Sequence, residues 1–97
     1  MRDRDSDGMS KAAVGKRLAL TREALGYQQG EFADLCDIKR NTYNQYEKGV
    51  NMPPIETGIK ICTLFRLTLD WLYVGDPSSL RRDVSDKVRE LRAEKSA

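Results

Sequence analysis

Three residues, Asp37-Ile38-Lys39, separate two stretches of helical character, and no other feature narrows the possible folds as much. On one side, Gln28 to Cys36 places Phe32, Ala33 and Cys36 at spacings that share a helix face. On the other, Arg40 to Lys48 sets Thr42, Tyr43 and Tyr46 against a polar side formed by Arg40, Asn41, Asn44, Gln45 and Lys48. A link that short has room only for a tight turn, so the two helices must pack against each other at an angle.

The rest of the chain supplies helices to hold that pair. Val14, Leu18 and Leu25 recur at helical spacing with Thr21 and Arg22 on the turn between, predicting a helix over Ser10–Leu25. Ser10 is its candidate N-cap and Gly26 its left-handed stop. Helix two, Gln28–Cys36, starts poorly: Gln28 is a weak cap and Gly30 lies inside the helix, with Glu31 helping through the dipole. After Gly49, the segment VNMPP is a loop, because a proline pair withholds two backbone donors. A fourth helix then starts near Pro54 or Ile55 and presents Ile55, Ile59, Cys62 and Phe65 as a core stripe. A fifth runs from a Thr68 cap through Trp71, expected in the core, to a stop at Gly75.

Pro77, Ser78 and Ser79 mark a boundary. Beyond them Leu80, Val84, Val88 and Leu91 form an apolar stripe on a highly charged segment, which needs a partner because an isolated helix of this length is marginal in water. The stripe folds back on its own domain, pairs with a second copy, or forms on binding. The expected organisation is a disordered tail over 1–9, a helical domain over 10–76 and a C-terminal helix over 77–97 serving dimerisation or docking.

Composition excludes more than it selects. With 97 residues there is one core and little room for a deep cavity. The sequence contains no histidine, and Cys36 and Cys62 lack zinc-site spacing, so neither a metal, another cofactor nor catalysis is expected, and both cysteines read as buried free thiols. The N-terminus has no apolar run of the export type and no stretch approaches a membrane span, so a cytoplasmic protein is expected, with no membrane partner. A net charge of +2 gives little bulk attraction for nucleic acid. Any such affinity must come from placed contacts. The polar side of helix 39–48 suits that task, because Arg pairs with guanine O6 and N7, and Asn or Gln with adenine N6 and N7.

Taken in order, VGKRLALTREALGYQQGEFADLCDIKRNTYNQYEKG, the loop with Pro53, ETGIKI and TLDWLYVGD resemble the phage-repressor-like, or Xre-type, helix-turn-helix family over about residues 12 to 75. The resemblance implies an all-α fold, a five-helix lambda-repressor-like domain, here with an additional C-terminal amphipathic helix. It implies sequence-specific transcriptional regulation through double-stranded DNA, usually repression, by a homodimer on a palindromic site. Residue by residue, Arg40, Asn41, Asn44 and Gln45 match base-reading positions. Gln29, Lys39, Lys48 and Asn51 match phosphate-contacting ones, with the start of helix two favouring an anion. Arg22 and Glu47 match an ion pair joining helix one to the recognition helix. Two positions depart from the pattern. Asp37 stands where a turn glycine is common, and Lys39 where Ser or Thr commonly caps the recognition helix, so a rearranged turn or a shifted helix start is expected. A protein-interaction module of antitoxin type, using the same fold and the C-terminal helix, is the alternative; no small-molecule effector is expected.

Overall fold

The computed structural model describes residues 9–96. The tail expected over 1–9 therefore lies outside the described residues except for Met9. The described residues form helices α1 (Lys11–Leu25), α2 (Gln29–Leu35), α3 (Arg40–Glu47) and α4 (Ile55–Phe65), a π-helical turn (Asp70–Val74) and α5 (Arg82–Ser96), with no strand among them.

Local chemistry sets the helix ends. Ser10 Oγ accepts from Ala13 N at 3.0 Å and opens α1. Gly26 closes it at φ 88, where Tyr27 N reaches back to Arg22 O. At α2 the side chain of Glu31 supplies what the cap lacks: the Gln28 backbone N–H donates to Glu31 Oε1 at 2.8 Å. The first turn is thus tied by a hydrogen bond as well as favoured by the dipole. Thr68 Oγ1 accepts from Trp71 N at 3.0 Å, and Gly75 closes the following turn at φ 89. That turn is π-wound: Gly75 N bonds Asp70 O at 2.9 Å, a five-residue reach.

The turn between α2 and α3 is not rearranged. Asp37 takes the left-handed conformation itself, at φ 57. Its N–H reaches Asp34 O and the Ile38 N–H reaches Ala33 O, the paired bonds of a helix stop usually closed by glycine. Aspartate tolerates this region better than most side chains do. Nor is α3 displaced: Lys39 occupies its N-cap without a side-chain hydrogen bond, and the helix begins at Arg40.

The core gathers Val14 and Leu18 from α1, Phe32, Ala33 and Cys36 around α2, Tyr43 and Tyr46 from α3, Ile61 and Cys62 from α4, and Trp71 and Leu72. Phe32 stacks on Phe65 with centroids 4.5 Å apart and tilts against Tyr43 at 5.4 Å. Trp71 is core; its Nε1 donates to Thr21 Oγ1 at 2.9 Å, and that hydroxyl donates to Arg17 O, so the buried polar atoms are satisfied.

One expected stripe holds only in its second half. Cys62 is buried and Phe65 packs against the core, but Ile55 and Ile59 are 55% and 49% exposed, and α4 buries Gly58 and Ile61 in their place. Gly58 is the cause. A Cβ there would collide with the Tyr73 ring, which crosses α4 so that its hydroxyl donates to Pro53 O at 2.9 Å. A glycine carries no apolar signal, so reading only the large side chains places Ile55 and Ile59 on the inner face ahead of Gly58 and Ile61.

The C-terminal helix lies on α1. Leu80, Val84 and Val88 are buried and Leu91 packs against them. Arg92 sits 5.5 Å from the Trp71 ring centroid and Lys95 lies 3.4 Å from Glu23 on α1, so the C-terminal end of α5 is pinned beyond the stripe. Inside the chain the stripe is already covered.

Cys36 and Cys62 are buried and free. Burial pushes both thiols up to about 11, leaving about one in a thousand as thiolate at pH 8. Native protein at pH 8 is therefore expected to label with a thiol reagent only at the rate at which it unfolds, and rapidly in guanidinium. Labelling of folded protein at the rate of a free peptide thiol would contradict the buried state.

Candidate nucleic-acid interface

Helix α3 is held on its inner side and along its last turn. Tyr43 is fully buried and Tyr46 nearly so, their rings edge to face at 6.5 Å. Behind them α1 comes unusually close: a Cβ built on Gly15 would lie 2.5 Å from Tyr46 O and 2.7 Å from Glu47 O, both backbone atoms. Gly49, at φ 77, similarly lies against the backbone of Ala12. Glycine at 15 and 49 lets the end of α3 sit directly on α1.

The Glu47 carboxylate joins three helices. Its Oε2 accepts from Arg22 Nε of α1 at 2.7 Å and from the Tyr43 hydroxyl; its Oε1 accepts from Arg22 Nη2 at 3.2 Å and from Gln29 Nε2 of α2 at 3.0 Å. Arg22 also donates Nη1 to Tyr27 O at 2.8 Å. Side-chain exposure is only 12% for Arg22 and 8% for Glu47. The hydrogen bond to Glu47 is the main cause holding the Arg22 guanidinium above its ordinary pKa. Burial first, then Glu47, pushes Tyr43 far up, so its phenol remains a donor.

Around this anchor, Lys39, Arg40, Asn41, Lys48 and Asn51 are exposed, and Asn44, Gln45 and Gln29 are half-buried. Among the described residues, the side chains of Asn41, Asn44 and Gln45 are bound to no other group. Two of the anticipated contact residues are engaged within the chain. Gln29 spends one amide N–H on Glu47, leaving the second N–H and its carbonyl oxygen. Arg40 forms a two-point pair with Asp34 of α2, Nε to Oδ1 at 3.1 Å and Nη2 to Oδ2 at 2.6 Å. Gln45 also anchors the outgoing loop through its backbone, its carbonyl accepting from Val50 N at 3.0 Å.

Sequence reasoning missed Gly15, Tyr43 as a donor to the hub, and Asp34. Gly15 and Asp34 act across helices, where no local pattern marks them. Tyr43 and Glu47 stand four apart on one helix, so their contact was discoverable from spacing alone. No group of three or more potential metal-binding His, Cys, Asp or Glu side chains occurs among the described residues, and no described helix is long and apolar enough to cross a membrane.

Two helices joined by a tight turn, with the second braced from behind and Asn41, Asn44 and Gln45 open on its polar side, form a helix-turn-helix, the unit of a class of DNA-binding proteins. The model of the family described as Helix-turn-helix matches residues 18–72, more than half of the chain, and the chain belongs to that family. Among curated proteins, the HTH-type transcriptional regulator ImmR of Bacillus subtilis is 29% identical over 89 residues, covering 84% of this chain and 70% of that protein. The SPbeta prophage-derived uncharacterized HTH-type transcriptional regulator YonR of the same organism is 34% identical, covering 63% of this chain and 56% of YonR. The cryptic phage CTXphi transcriptional repressor RstR of Vibrio cholerae is 32% identical, covering 61% of this chain and 53% of RstR. No solved structure matches the chain significantly.

Proposed function

We propose that the chain is a sequence-specific repressor that reads the major groove with α3, as a homodimer on a palindromic DNA site. The observation that carries this reading is the division of α3: Tyr43, Tyr46 and Glu47 lock one side to the domain, while Asn41, Asn44 and Gln45 remain unpaired at the other. Base edges require donors and acceptors held in place yet unsatisfied, and this arrangement supplies them. Arg40, Asn41, Asn44 and Gln45 read bases. Lys39, Lys48, Asn51 and the second amide N–H of Gln29 meet phosphates. Two copies place their α3 helices in successive major grooves, about 34 Å apart, and repression follows from occupancy. A protein-interaction role through the C-terminal stripe would first require α5 to leave α1.

Selection from random duplexes tests the reading. A two-fold site should emerge, and binding to it should weaken with salt at a slope of about 0.9 per phosphate neutralised. No enriched sequence, or a flat salt response, would sink it. Within a selected site, Asn41→Ala or Gln45→Ala should each cost about 1–3 kcal/mol and relax preference at particular base pairs, whereas Gln29→Ala should weaken all sequences alike. Equal losses on selected and random DNA for Asn41→Ala and Gln45→Ala would rule out base reading by these side chains.

A further inference from the structure

Arg40, the first residue of α3, does not extend freely. Its guanidinium lies across α2, over Gly30 and against Asp34, which stand four apart and so share a face of that helix. An ideal Cβ on Gly30 would be 3.0 Å from both Cζ and Nη1 of Arg40, tighter than side chains ordinarily pack. Glycine is a poor helix former, and an exposed ion pair contributes little to stability, so folding gives no reason for this combination. Donor accounting gives one. Asp34 engages Nε and one N–H of Nη2. The guanidinium has five N–H groups, so the end-on edge formed by Nη1 and the second Nη2 proton remains open. That edge has the spacing that guanine O6 and N7 accept. Both partners are more than half exposed, so the open edge is reachable from outside the domain.

We propose that Gly30 and Asp34 form a seat on α2 that presents Arg40 end-on to one guanine in each half-site, making Asp34 a specificity-determining positioning residue. The proposal rests on the DNA-reading assignment above. Without the seat, a long and flexible arginine meets a phosphate as readily as a base. With it, the Asp34 carboxylate fixes the plane of the fork and disfavours placing this region against the phosphate backbone, so Arg40 is committed to a base edge.

The test uses the full chain and duplexes recovered by selection, with every base pair substituted in turn. Arg40→Ala first identifies the guanine whose preference depends on that side chain. Asp34→Asn should reduce preference for the same guanine by about fivefold or more, with no fall in affinity for random duplex. Gly30→Ala, which favours helix, should raise the melting temperature while reducing the same preference, a combination a purely structural role does not produce. Unchanged guanine preference in Asp34→Asn overturns the proposal, as does an equal rise in affinity for selected and random DNA, which would make the pair a brake on Arg40. Unchanged preference in Gly30→Ala removes Gly30 from the seat. If wild-type protein enriches no sequence, the DNA-reading assignment itself fails; if it enriches a site in which no guanine depends on Arg40, that assignment stands and the seat fails.

Discussion

Glu47→Ala is expected to cost about 3 kcal/mol of folding stability, at the lower end of what breaking a buried ion pair costs. The substitution leaves Arg22 with Tyr27 O and, at 3.9 Å, the more exposed Glu23 carboxylate, and removes the acceptor of the Tyr43 hydroxyl, which is buried against the core. It also frees Gln29 from the recognition helix. Most of the penalty comes from the cation left in a place where water reaches it poorly, since the Arg22 side chain is 12% exposed. For a domain of this size the melting temperature should fall by roughly 15 °C. Glu47→Gln keeps an acceptor oxygen but not the charge, and should recover part of the loss. Urea unfolding of the three proteins measures this directly. An alanine variant within about 0.5 kcal/mol of wild type would show that the hub is an exposed pair of little consequence.

Gly15→Val should be comparably damaging for a different reason. Its Cβ would fall 2.5 Å and 2.7 Å from the carbonyl oxygens of Tyr46 and Glu47, and backbone atoms cannot rotate aside as a side chain can. The helices must separate. Overpacking of this kind costs about 3 kcal/mol, and the better helix propensity of valine over glycine offsets only a few tenths. DNA affinity should fall further than stability alone explains, because the end of α3 is pushed off the surface that aims it. Gly26→Ala is the control: nothing lies within 4 Å of the added atom, and only the left-handed backbone, at φ 88, is strained. It should cost about 1–2 kcal/mol and leave the affinity of folded protein intact. Equal stability of wild type and Gly15→Val would contradict the close approach of α1 and α3.

The two variants separate the features legible along the chain from those that were not. Ser10, Gly26, Thr68 and Gly75 announce helix ends because capping is settled within a few residues. Asp37 shows the limit of that reasoning. Its departure from glycine suggested a rearranged turn, yet the bonds from Asp37 N and Ile38 N impose the left-handed conformation on the residue present. In α4, Cys62 and Phe65 face the core as their spacing suggested, but Ile55 and Ile59 do not, because Gly58 receives Tyr73, a contact between residues fifteen apart that hydrophobic periodicity cannot register.

The sequence by itself determined the order and approximate span of the helices, the tight turn before α3, the burial of Tyr43, Tyr46 and Trp71, and the family. These depend on spacing, capping and apolar content, which act locally. Only the tertiary structure decided that Gly15 brings the end of α3 onto α1, that the Arg22–Glu47 pair implied by the family resemblance is largely buried and also takes Tyr43 and Gln29, that the stripe of α5 seats on α1, and that Arg40 lies over Gly30 against Asp34. Apart from the Tyr43 bond, each joins residues on different helices. Hydrogen bonds and steric exclusion act over a few ångströms, so these arrangements are settled only when packing brings the helices together.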